Sequence, residues 1–380
     1  MRKQAKIVIA PDSFKGSLSA FEVCQAVARG IHITYPSAEL ITIPLADGGE
    51  GTVDTMVRAT GGAYRTCIVM DPLSRPIEAR YGILGTKDTA VIEMAAASGL
   101  PLVPVELRNP LHTTTFGTGQ LIRDALEAGH ARIILGIGGS ATVDGGAGMA
   151  QALGVCFFDE AGEEITASMT GMSIGHCCSI RTDRLHPGIS QCRIVAACDV
   201  TNPLLGPTGA ARIYGPQKGA NPEEVLILEK NLHHFFDLVE SGQKLSVRNL
   251  PGAGAAGGLG ASLYAFLHAD LQSGIALLLE AVDFETKVKD ADLLITGEGQ
   301  IDAQTLQGKA ISGLLTITRK YQVPAIAIAG RIQGDISPLI HQGLRAAYAI
   351  CQDRDDPEYS RKNAAKLIEQ LIAEVITRHI

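Results

Sequence analysis

Short apolar segments bounded by turn residues lie near both ends of this sequence, and they constrain the fold more than any other feature. They are the strand candidates Lys6–Ala10, Ala38–Pro44, Ala291–Thr296, Pro324–Ala329 and Ala346–Ile350. Stretches with a helical pattern separate most of them, and the first runs from Ser19 to about Ile31 after the capping pattern of Ser17 or Ser19 ahead of Glu22. Strands that are apolar on both faces are typical of parallel sheets covered by helices. The two ends of the chain are therefore predicted to form one doubly wound α/β domain with a parallel sheet.

The middle of the chain has a different pattern. The strand candidates Tyr64–Met70, Pro76–Leu84 and Thr89–Met94 are joined by short breaks. Short connections favour antiparallel hairpins over crossover helices. Two further strand candidates, Ala131–Ile137 and Gln191–Ala196, alternate with helical stretches. This region is predicted to be a second α/β domain that contains antiparallel hairpins.

The chain is long enough for two domains, because 380 residues exceed the usual size of a single hydrophobic core. We predict that residues 61–284 are inserted into a first domain made of residues 1–60 and 285–380. The alternative is two consecutive domains divided near residue 150 or 240. That division would leave the N-terminal part with only two parallel strands.

Composition and charge exclude several classes of protein. The net charge is −7 and no basic stripe occurs, whereas nucleic-acid binding draws most of its affinity from Lys and Arg. The apolar stretch Ile7–Ala10 is too short for a signal sequence or a membrane span. The eight cysteines lack zinc-ligand spacing and are most simply small buried side chains. We expect a cytoplasmic protein with no nucleic-acid and no membrane partner.

Three apolar runs end in segments rich in glycine and carboxylate: Ile43–Thr52, Ile133–Gly148 and Leu293–Asp302. Glycine lets backbone N–H groups approach phosphate oxygens, and Asp and Glu supply oxygen ligands for Mg²⁺. The pattern therefore predicts a nucleotide-using enzyme that works with Mg²⁺.

Polar loops follow three predicted strands of the outer domain, where ligands of parallel sheets bind. Pro11–Ser17 (PDSFKGS) offers Lys15 to an anion, with Asp12 as a metal ligand or proton acceptor. The segment ADGGEGT follows the second strand and supplies Asp47 and Glu50. The segment TGEGQID follows the third strand and supplies Glu298 and Asp302. The alternative interpretation is ordinary turns, in which Asp12 and Asp47 cap helices and Lys15 is solvated.

Glycine loops and a polar turn occur in the predicted insert. Gly136–Gly148 (GIGGSATVDGGAG) follows a strand and enters a helix, an arrangement that binds phosphate on backbone N–H groups. Gly252–Gly257 matches G-x-G-x-x-G, but it follows no evident strand and is a weak dinucleotide motif. CDVTNP places Asp199 three residues before Asn202, which suits Mg²⁺, hydroxyl activation or an exposed turn.

Eight segments occur in this order along the chain: KIVIAPDSFKGSLSA, PLADGGEGT, VIEMAAASGL, ILGIGGSATVDGGAG, ACDVTNPLLGP, YGPQKGA, LPGAGAAGGLG and LLITGEGQID. From residue 6 to about 330, the chain thereby resembles the glycerate kinase family. The resemblance implies ATP-dependent phosphorylation of D-glycerate with Mg²⁺, and a flavodoxin-like domain that carries a second α/β domain as an insertion. It implies 2-phosphoglycerate as product, with 3-phosphoglycerate as the alternative.

We assign roles to the candidate residues from their chemistry, because phosphoryl transfer needs positioning and charge neutralisation. Asp199 orients or deprotonates the attacking hydroxyl, and Lys15 binds the glycerate carboxylate or the transferring phosphate. The remaining residues are assigned to substrate (Asp12, Ser13, Asn202, Lys218), nucleotide (Gly138, Gly139, Ser140, Gly254, Gly257, Gly258) and metal (Asp47, Glu50, Glu298, Asp302).

Two rival classes are weighed against this hypothesis. A non-catalytic sugar-acid sensor would regulate transcription, but no helix-turn-helix pattern or basic face supports it. An NAD-dependent dehydrogenase would need a better dinucleotide motif. We expect the loops of the two domains to face one cleft. The expected partner is a small-molecule substrate, D-glycerate, and a homo-oligomer is compatible with the sequence.

Overall fold

The computed structural model describes residues 4–45, 51–302, 305, 309–351 and 357–380. Within these residues the chain forms thirteen strands, numbered in chain order: β1 Lys6–Pro11, β2 Glu39–Thr42, β3 Ala63–Met70, β4 Pro76–Ile83, β5 Thr89–Glu93, β6 Arg132–Gly136, β7 Cys156–Phe158, β8 Ser179–Arg181, β9 Arg193–Ala197, β10 Asp270–Gln272, β11 Leu293–Ile301, β12 Ala325–Ile332 and β13 Leu344–Ala349.

The same residues form fourteen α-helices: α1 Ala20–Thr34, α2 Thr52–Thr60, α3 Ala95–Ser98, α4 Phe116–Glu127, α5 Ala147–Ala152, α6 Ala210–Tyr214, α7 Pro222–Gln243, α8 Ala255–Leu267, α9 Gly274–Ala281, α10 Phe284–Val288, α11 Lys309–Lys320, α12 Ser337–His341, α13 Pro357–Lys362 and α14 Ala364–Val375.

The chain divides into two compact units. Unit 1 contains Met1–Asp47 and Ile275–Ile380, and unit 2 contains Gly48–Gly274. The predicted boundaries differ from this division, since residues 51–60 were assigned to the first domain. Helix α2 instead packs on β4, where Val53 and Val57 lie against the backbone of Gly82. A residue with a side chain at position 82 would collide with Val57, so glycine allows this close contact.

Unit 1 is built on a five-stranded sheet in the order β13-β12-β11-β1-β2, and all of its strands are parallel. Numbered within the unit, this is the flavodoxin order 2-1-3-4-5. The predicted fold class is confirmed. The strand order reverses between β1 and β11, and ligands of such sheets bind at this point beside the carboxyl ends of the strands.

Helices cover the sheet of unit 1 because its strands are apolar on both faces. Helices α1 and α14 pack together over Ile7, Ile9 and Ile295, while Val8 and Leu294 point to the opposite face and are also fully buried. Helix α1 begins at the predicted cap: the Ser19 hydroxyl accepts a hydrogen bond from the Glu22 amide, and the Glu22 carboxylate accepts one from the Ser19 amide.

Strand β11 is longer than predicted. It was expected to end at Thr296, but it continues to Ile301 and pairs with β12 as far as Ile332. Glycine makes this close pairing feasible, because a Cβ atom at Gly330 would lie 2.4 Å from the Gly299 carbonyl oxygen. The segment TGEGQID is therefore mostly strand, and its carboxylates project from the end of a sheet.

Unit 2 contains a six-stranded sheet in the order β10-β9-β6-β5-β4-β3. Strands β10, β9, β6 and β5 are parallel, whereas β4 is antiparallel to both β5 and β3. The predicted hairpins are thus confirmed. The three-residue strands β7, β8 and β10 were not predicted, because so short a segment shows no alternation.

Among the described residues, no helix combines the length and the apolar character needed to cross a membrane.

Candidate active-site regions

A cavity of about 550 Å³ lies in unit 1 where the strand order reverses. The loop after β1 forms one wall: the Asp12 amide donates a hydrogen bond of 2.7 Å to the Gly297 carbonyl, and the Phe14 amide donates one of 2.8 Å to Leu18. The predicted residues Asp12, Ser13 and Lys15 all line this cavity. The loop is therefore held at the strand ends, with Lys15 exposed to solvent.

Carboxylates from β11 form a second wall of the cavity, where Glu298 and Asp302 lie. One carboxylate oxygen of Glu298, Oε1, is buried and has no hydrogen-bond partner among the described residues. Burial raises the pKa of Glu298, and the negative charges of Asp12 and Asp302 add to this effect. The cavity thus contains a carboxylate that a cation would stabilise in its ionised form.

The predicted metal ligands are only partly assembled in the described structure. Asp47 and Glu50 lie outside the described residues. Within the part of the chain that is described, no group of three or more His, Cys, Asp or Glu side chains is arranged to hold a metal ion. Of the four predicted metal ligands, Glu298 and Asp302 are the two that the described residues include, and both line the cavity.

Two arginines in the same cavity were missed from the sequence. Arg331 lies near the end of β12, opposite Gln300, and Arg361 lies in α13. The Ser17 hydroxyl donates a hydrogen bond of 2.6 Å to the Arg361 carbonyl, which holds α13 against the loop after β1. Arg331 follows a predicted strand, so the strand-end rule could have found it. No local pattern marks Arg361.

An exposed glycine loop follows β6 in unit 2. Gly138 and Gly139 are exposed, and Gly139 has a φ of +75°, a conformation that favours glycine. The Gly139 carbonyl accepts a hydrogen bond of 2.9 Å from the Leu100 amide, and the Ala141 amide donates one of 2.9 Å to Ser98. These bonds attach the loop to the segment that follows β5 and leave its outer backbone open to solvent.

The buried carboxylate of Asp144 supports this loop from inside. It accepts hydrogen bonds from the amide and hydroxyl of Thr115, at 2.8 and 2.7 Å, and from the amides of Gly146 and Gly148. Burial raises the pKa of Asp144, and these hydrogen bonds oppose that shift. No role is predicted for Asp144 from the sequence.

Lys218 has a different environment from the one predicted. It is 2% exposed, and its Nζ atom donates hydrogen bonds to the Ser140 hydroxyl at 2.6 Å and the Thr142 carbonyl at 2.7 Å. Burial lowers the pKa of Lys218 to about 7, while the charge of Asp144 favours the ammonium form. The predicted direct contact with substrate is corrected, because the ammonium group faces protein atoms.

The second glycine segment is also buried. Gly257 and Gly258 have φ values of +71° and +92°, and a Cβ atom at Gly257 would lie 2.0 Å from the Thr142 carbonyl oxygen. At Gly254 a Cβ atom would lie 2.2 Å from the Pro203 carbonyl oxygen. Glycine at these three predicted nucleotide-binding positions is required by packing on the neighbouring loops. Close protein packing, not an exposed backbone, is what the structure shows there.

The polar turn after β9 contains two of the predicted site residues, Asp199 and Asn202. Asp199 is exposed, and it accepts hydrogen bonds from the Ser273 hydroxyl at 3.0 Å and the Gly274 amide at 3.3 Å. The Asn202 side chain donates to the Thr208 carbonyl and accepts from the Tyr214 hydroxyl, both at 2.8 Å. Asn202 thus organises its own loop, whereas Asp199 faces solvent.

These features define a two-unit α/β protein with candidate sites for anionic small molecules. The sequence model of the Glycerate kinase family matches residues 7–379. The chain belongs to the glycerate kinase family, and it is a kinase.

Named relatives and a solved structure agree with this assignment. The chain is 48% identical to the glycerate kinase of Bacillus subtilis (strain 168), over 97% of this chain and 96% of the relative. It is 49% identical to the glycerate 2-kinase of Escherichia coli (strain K12), over 91% and 90%. A crystal structure of a glycerate kinase 2 candidate from Salmonella typhimurium LT2 is similar with a TM-score of 0.88 and 46% identity, covering 99% of this chain and 98% of the other.

Proposed function

We propose that this protein transfers the γ-phosphoryl group of ATP to O2 of D-glycerate, giving 2-phosphoglycerate and ADP. The observation that carries the proposal is similarity over almost the whole chain to a glycerate 2-kinase, at 49% identity. Transfer to O3, giving 3-phosphoglycerate, is the alternative product. Phosphoryl transfer requires positioning and neutralised charge more than covalent chemistry, and the two polar regions described above suit that task.

The cavity of unit 1 supports binding of an anionic group. It is lined by Lys15, Arg331 and Arg361. A guanidinium group can donate two parallel hydrogen bonds to a carboxylate or a phosphate. We assign Lys15 to the glycerate carboxylate or the transferring phosphate, with Asp12 and Ser13 on the substrate.

The carboxylates of this cavity fit Mg²⁺. The ion commonly takes one or two protein carboxylates and completes its shell with phosphate oxygens and water, so a three-acid cluster is not required. Glu298 and Asp302 would hold it, and the unpartnered Oε1 atom of Glu298 suits a cation. When bound, Mg²⁺ supplies neutralisation of phosphate charge.

In unit 2, the exposed backbone at Gly138 and Gly139 supports phosphate binding, since N–H groups at such a loop attract anions. The buried positions Gly254, Gly257 and Gly258 would act by holding this loop in place. Asp199 is proposed to orient or deprotonate the attacking hydroxyl, because it is an exposed carboxylate at the end of β9.

The product of a single reaction tests the proposal. The purified protein is mixed with D-glycerate and Mg-ATP, and the products are identified by ³¹P NMR with proton coupling to the carbon-bound hydrogens. A doublet from a phosphate on the secondary carbon is expected, and a triplet from the primary carbon would identify 3-phosphoglycerate instead. Binding of glycerate without turnover would indicate a sensor, and reduction of NAD would indicate a dehydrogenase.

The role of Asp199 is tested with Asp199→Asn. We expect kcat to fall at least tenfold, a modest loss for a missing general base. Asp183→Asn is the matched control, because Asp183 is an exposed acid in the same unit that pairs with Arg181 on the surface. Full kcat in Asp199→Asn would exclude a role as base.

A further inference from the structure

The buried ammonium group of Lys218 lies directly beneath the exposed glycine loop. Its two hydrogen-bond acceptors are the Ser140 hydroxyl at 2.6 Å and the Thr142 carbonyl at 2.7 Å. The Tyr214 ring lies 6.0 Å from Nζ. Lys218 is therefore surrounded by the loop and by the segment that bears it.

Burial of this lysine is costly, and folding alone gives no reason for a charge here. An unpaired ammonium loses its hydration when buried, and an apolar side chain of similar volume often fills such a place at no loss of stability. The carboxylate of Asp144 favours the charge, but it is already occupied by four hydrogen-bond donors.

The hydrogen bond to Ser140 has a direct consequence for that hydroxyl. An ammonium group can only donate, so the Ser140 oxygen accepts from Nζ and its own proton must point elsewhere. Ser140 is 8% exposed and directly follows the two exposed glycines, so its hydroxyl lies beside the backbone that a ligand of the loop would contact. A neutral amine could accept that proton and remove the donor.

We propose that Lys218 is a positioning residue, whose ammonium form keeps the Ser140 hydroxyl as a donor to the phosphate of a nucleotide bound at Gly138 and Gly139. This inference rests on the proposed function of the loop and replaces the direct substrate contact expected from the sequence. It assigns Ser140 the contact and Lys218 an indirect role.

The proposal has a pH dependence of defined sign. The pKa of Lys218 is lowered to about 7, so the fraction of ammonium falls as pH rises through neutrality. The groups facing it are Asp144, whose pKa burial raises, and Tyr214, whose pKa burial also raises. Affinity for ATP should therefore decrease above pH 7. A bound phosphate would favour the ammonium form and move this decrease to higher pH.

The test measures KM for ATP, kcat and KM for glycerate between about pH 6 and 9 in four variants: Lys218→Met, Lys218→Arg, Ser140→Ala and the double variant Lys218→Met/Ser140→Ala. Lys230→Met is the matched control, because Lys230 is an exposed lysine in the same unit. ATP binding is measured separately by calorimetry.

We expect Lys218→Met and Ser140→Ala each to raise KM for ATP about tenfold below pH 7, the loss of one hydrogen bond to a charged group. The double variant should be no worse than either single variant, and its affinity should no longer change with pH. Lys218→Arg, which stays charged, should recover part of the affinity at high pH. Lys230→Met should behave as wild type.

Unchanged KM for ATP and an unchanged pH profile in Lys218→Met would overturn the proposal. A rise confined to KM for glycerate would also overturn it, since it would show direct substrate contact. Where Lys218→Met fails to fold, Ser140→Ala decides the matter: retained wild-type pH dependence of ATP binding overturns the proposal. If ATP binding depends on pH as expected but glycerate is not phosphorylated, the proposed function is refuted and this inference stands.

Discussion

Two ionisable residues illustrate how burial prepares a site for an oppositely charged ligand. Burial raises the pKa of Glu298 in unit 1 and lowers the pKa of Lys218 in unit 2 to about 7. In both residues burial favours the neutral form, and a nearby ligand of opposite charge would restore the ionised form. Such shifts often mark functional positions.

The lowered pKa of Lys218 predicts how the free energy of unfolding changes with pH. The folded pKa of Lys218 is below its ordinary value of 10.5, so between the two values the unfolded chain binds more protons than the folded chain. The free energy of unfolding should therefore gain a contribution that grows as pH rises from about 7 towards 10. Lys218→Met removes this contribution, and its slope of unfolding free energy against pH should be smaller than that of wild type.

Urea titrations followed by circular dichroism at several pH values in this range measure the slopes. Lys230→Met should keep the wild-type slope. Equal slopes in Lys218→Met and wild type would show that Lys218 is not buried as described.

The cations of unit 1 predict changes in substrate affinity. Arg361 lines the cavity, so Arg361→Ala should raise KM for an anionic substrate about tenfold, as should Lys15→Ala. Lys362→Ala is the neighbouring control, since its ammonium group pairs with Glu358 on the surface, an interaction worth about 0.5 kcal/mol or less. Steady-state kinetics measure these values. Unchanged KM and kcat in both cavity variants would remove these residues from the site.

At the level of elements, loops at the carboxyl ends of parallel strands form both polar regions. In unit 2, the loop after β6 is packed against the start of α8, which contains non-helical backbone at Ala256, Gly257 and Gly258. The positive φ angles there let the chain turn between two buried segments. Tight packing of glycine on carbonyl groups thus fixes the shape of the exposed loop.

Alanine substitutions at three glycines separate the cost of a positive φ angle from the cost of a collision at the new Cβ atom. Gly257→Ala combines a φ of +71° with a Cβ atom 2.0 Å from the Thr142 carbonyl, and it should destabilise the fold by more than about 2 kcal/mol. Gly162→Ala keeps the positive φ of +79° in open space and should cost only about 1 kcal/mol. Gly242→Ala, inside α7 with nothing near the new Cβ, should stabilise by about 0.5–1 kcal/mol.

Chemical denaturation of the three variants gives the order of their unfolding free energies. Equal effects of Gly257→Ala and Gly162→Ala would mean that the contact with Thr142 does not constrain the loop.

At the level of the molecule, each unit has its own hydrophobic core. The core of unit 2 is built from residues between Val69 and Ala269, and the core that α1 and α14 share is built from residues of unit 1. Unit 2 is one continuous segment, whereas unit 1 needs both ends of the chain, because β1 lies between β2 and β11. Independent cores are the property expected of separate domains.

Fragments of the chain test this independence. Residues 48–274 expressed alone should fold cooperatively, whereas residues 275–380 alone should not, since they lack β1 and β2. Circular dichroism with thermal unfolding distinguishes the two outcomes. A non-cooperative transition in the fragment 48–274 would contradict the independence of its core.

The sequence by itself determined the elements whose causes are local. Alternation and apolar runs predicted the parallel strands and the hairpins of β3, β4 and β5, and Ser19 with Glu22 predicted the start of α1. The ordered segments also identified the family that the comparisons show. These features depend on residues close together in the chain, so a reader of the sequence can find them.

Only the tertiary structure decided which charged groups are buried and which share a site. Ser17 meets Arg361 across 344 positions of the sequence, and Lys218 meets Ser140 across 78. The extension of β11 likewise depends on its pairing with β12. Such contacts bring together residues that no local sequence pattern relates. Glu298 and Lys218 become buried only when the chain folds, so the shifts of their pKa values also depend on the tertiary structure.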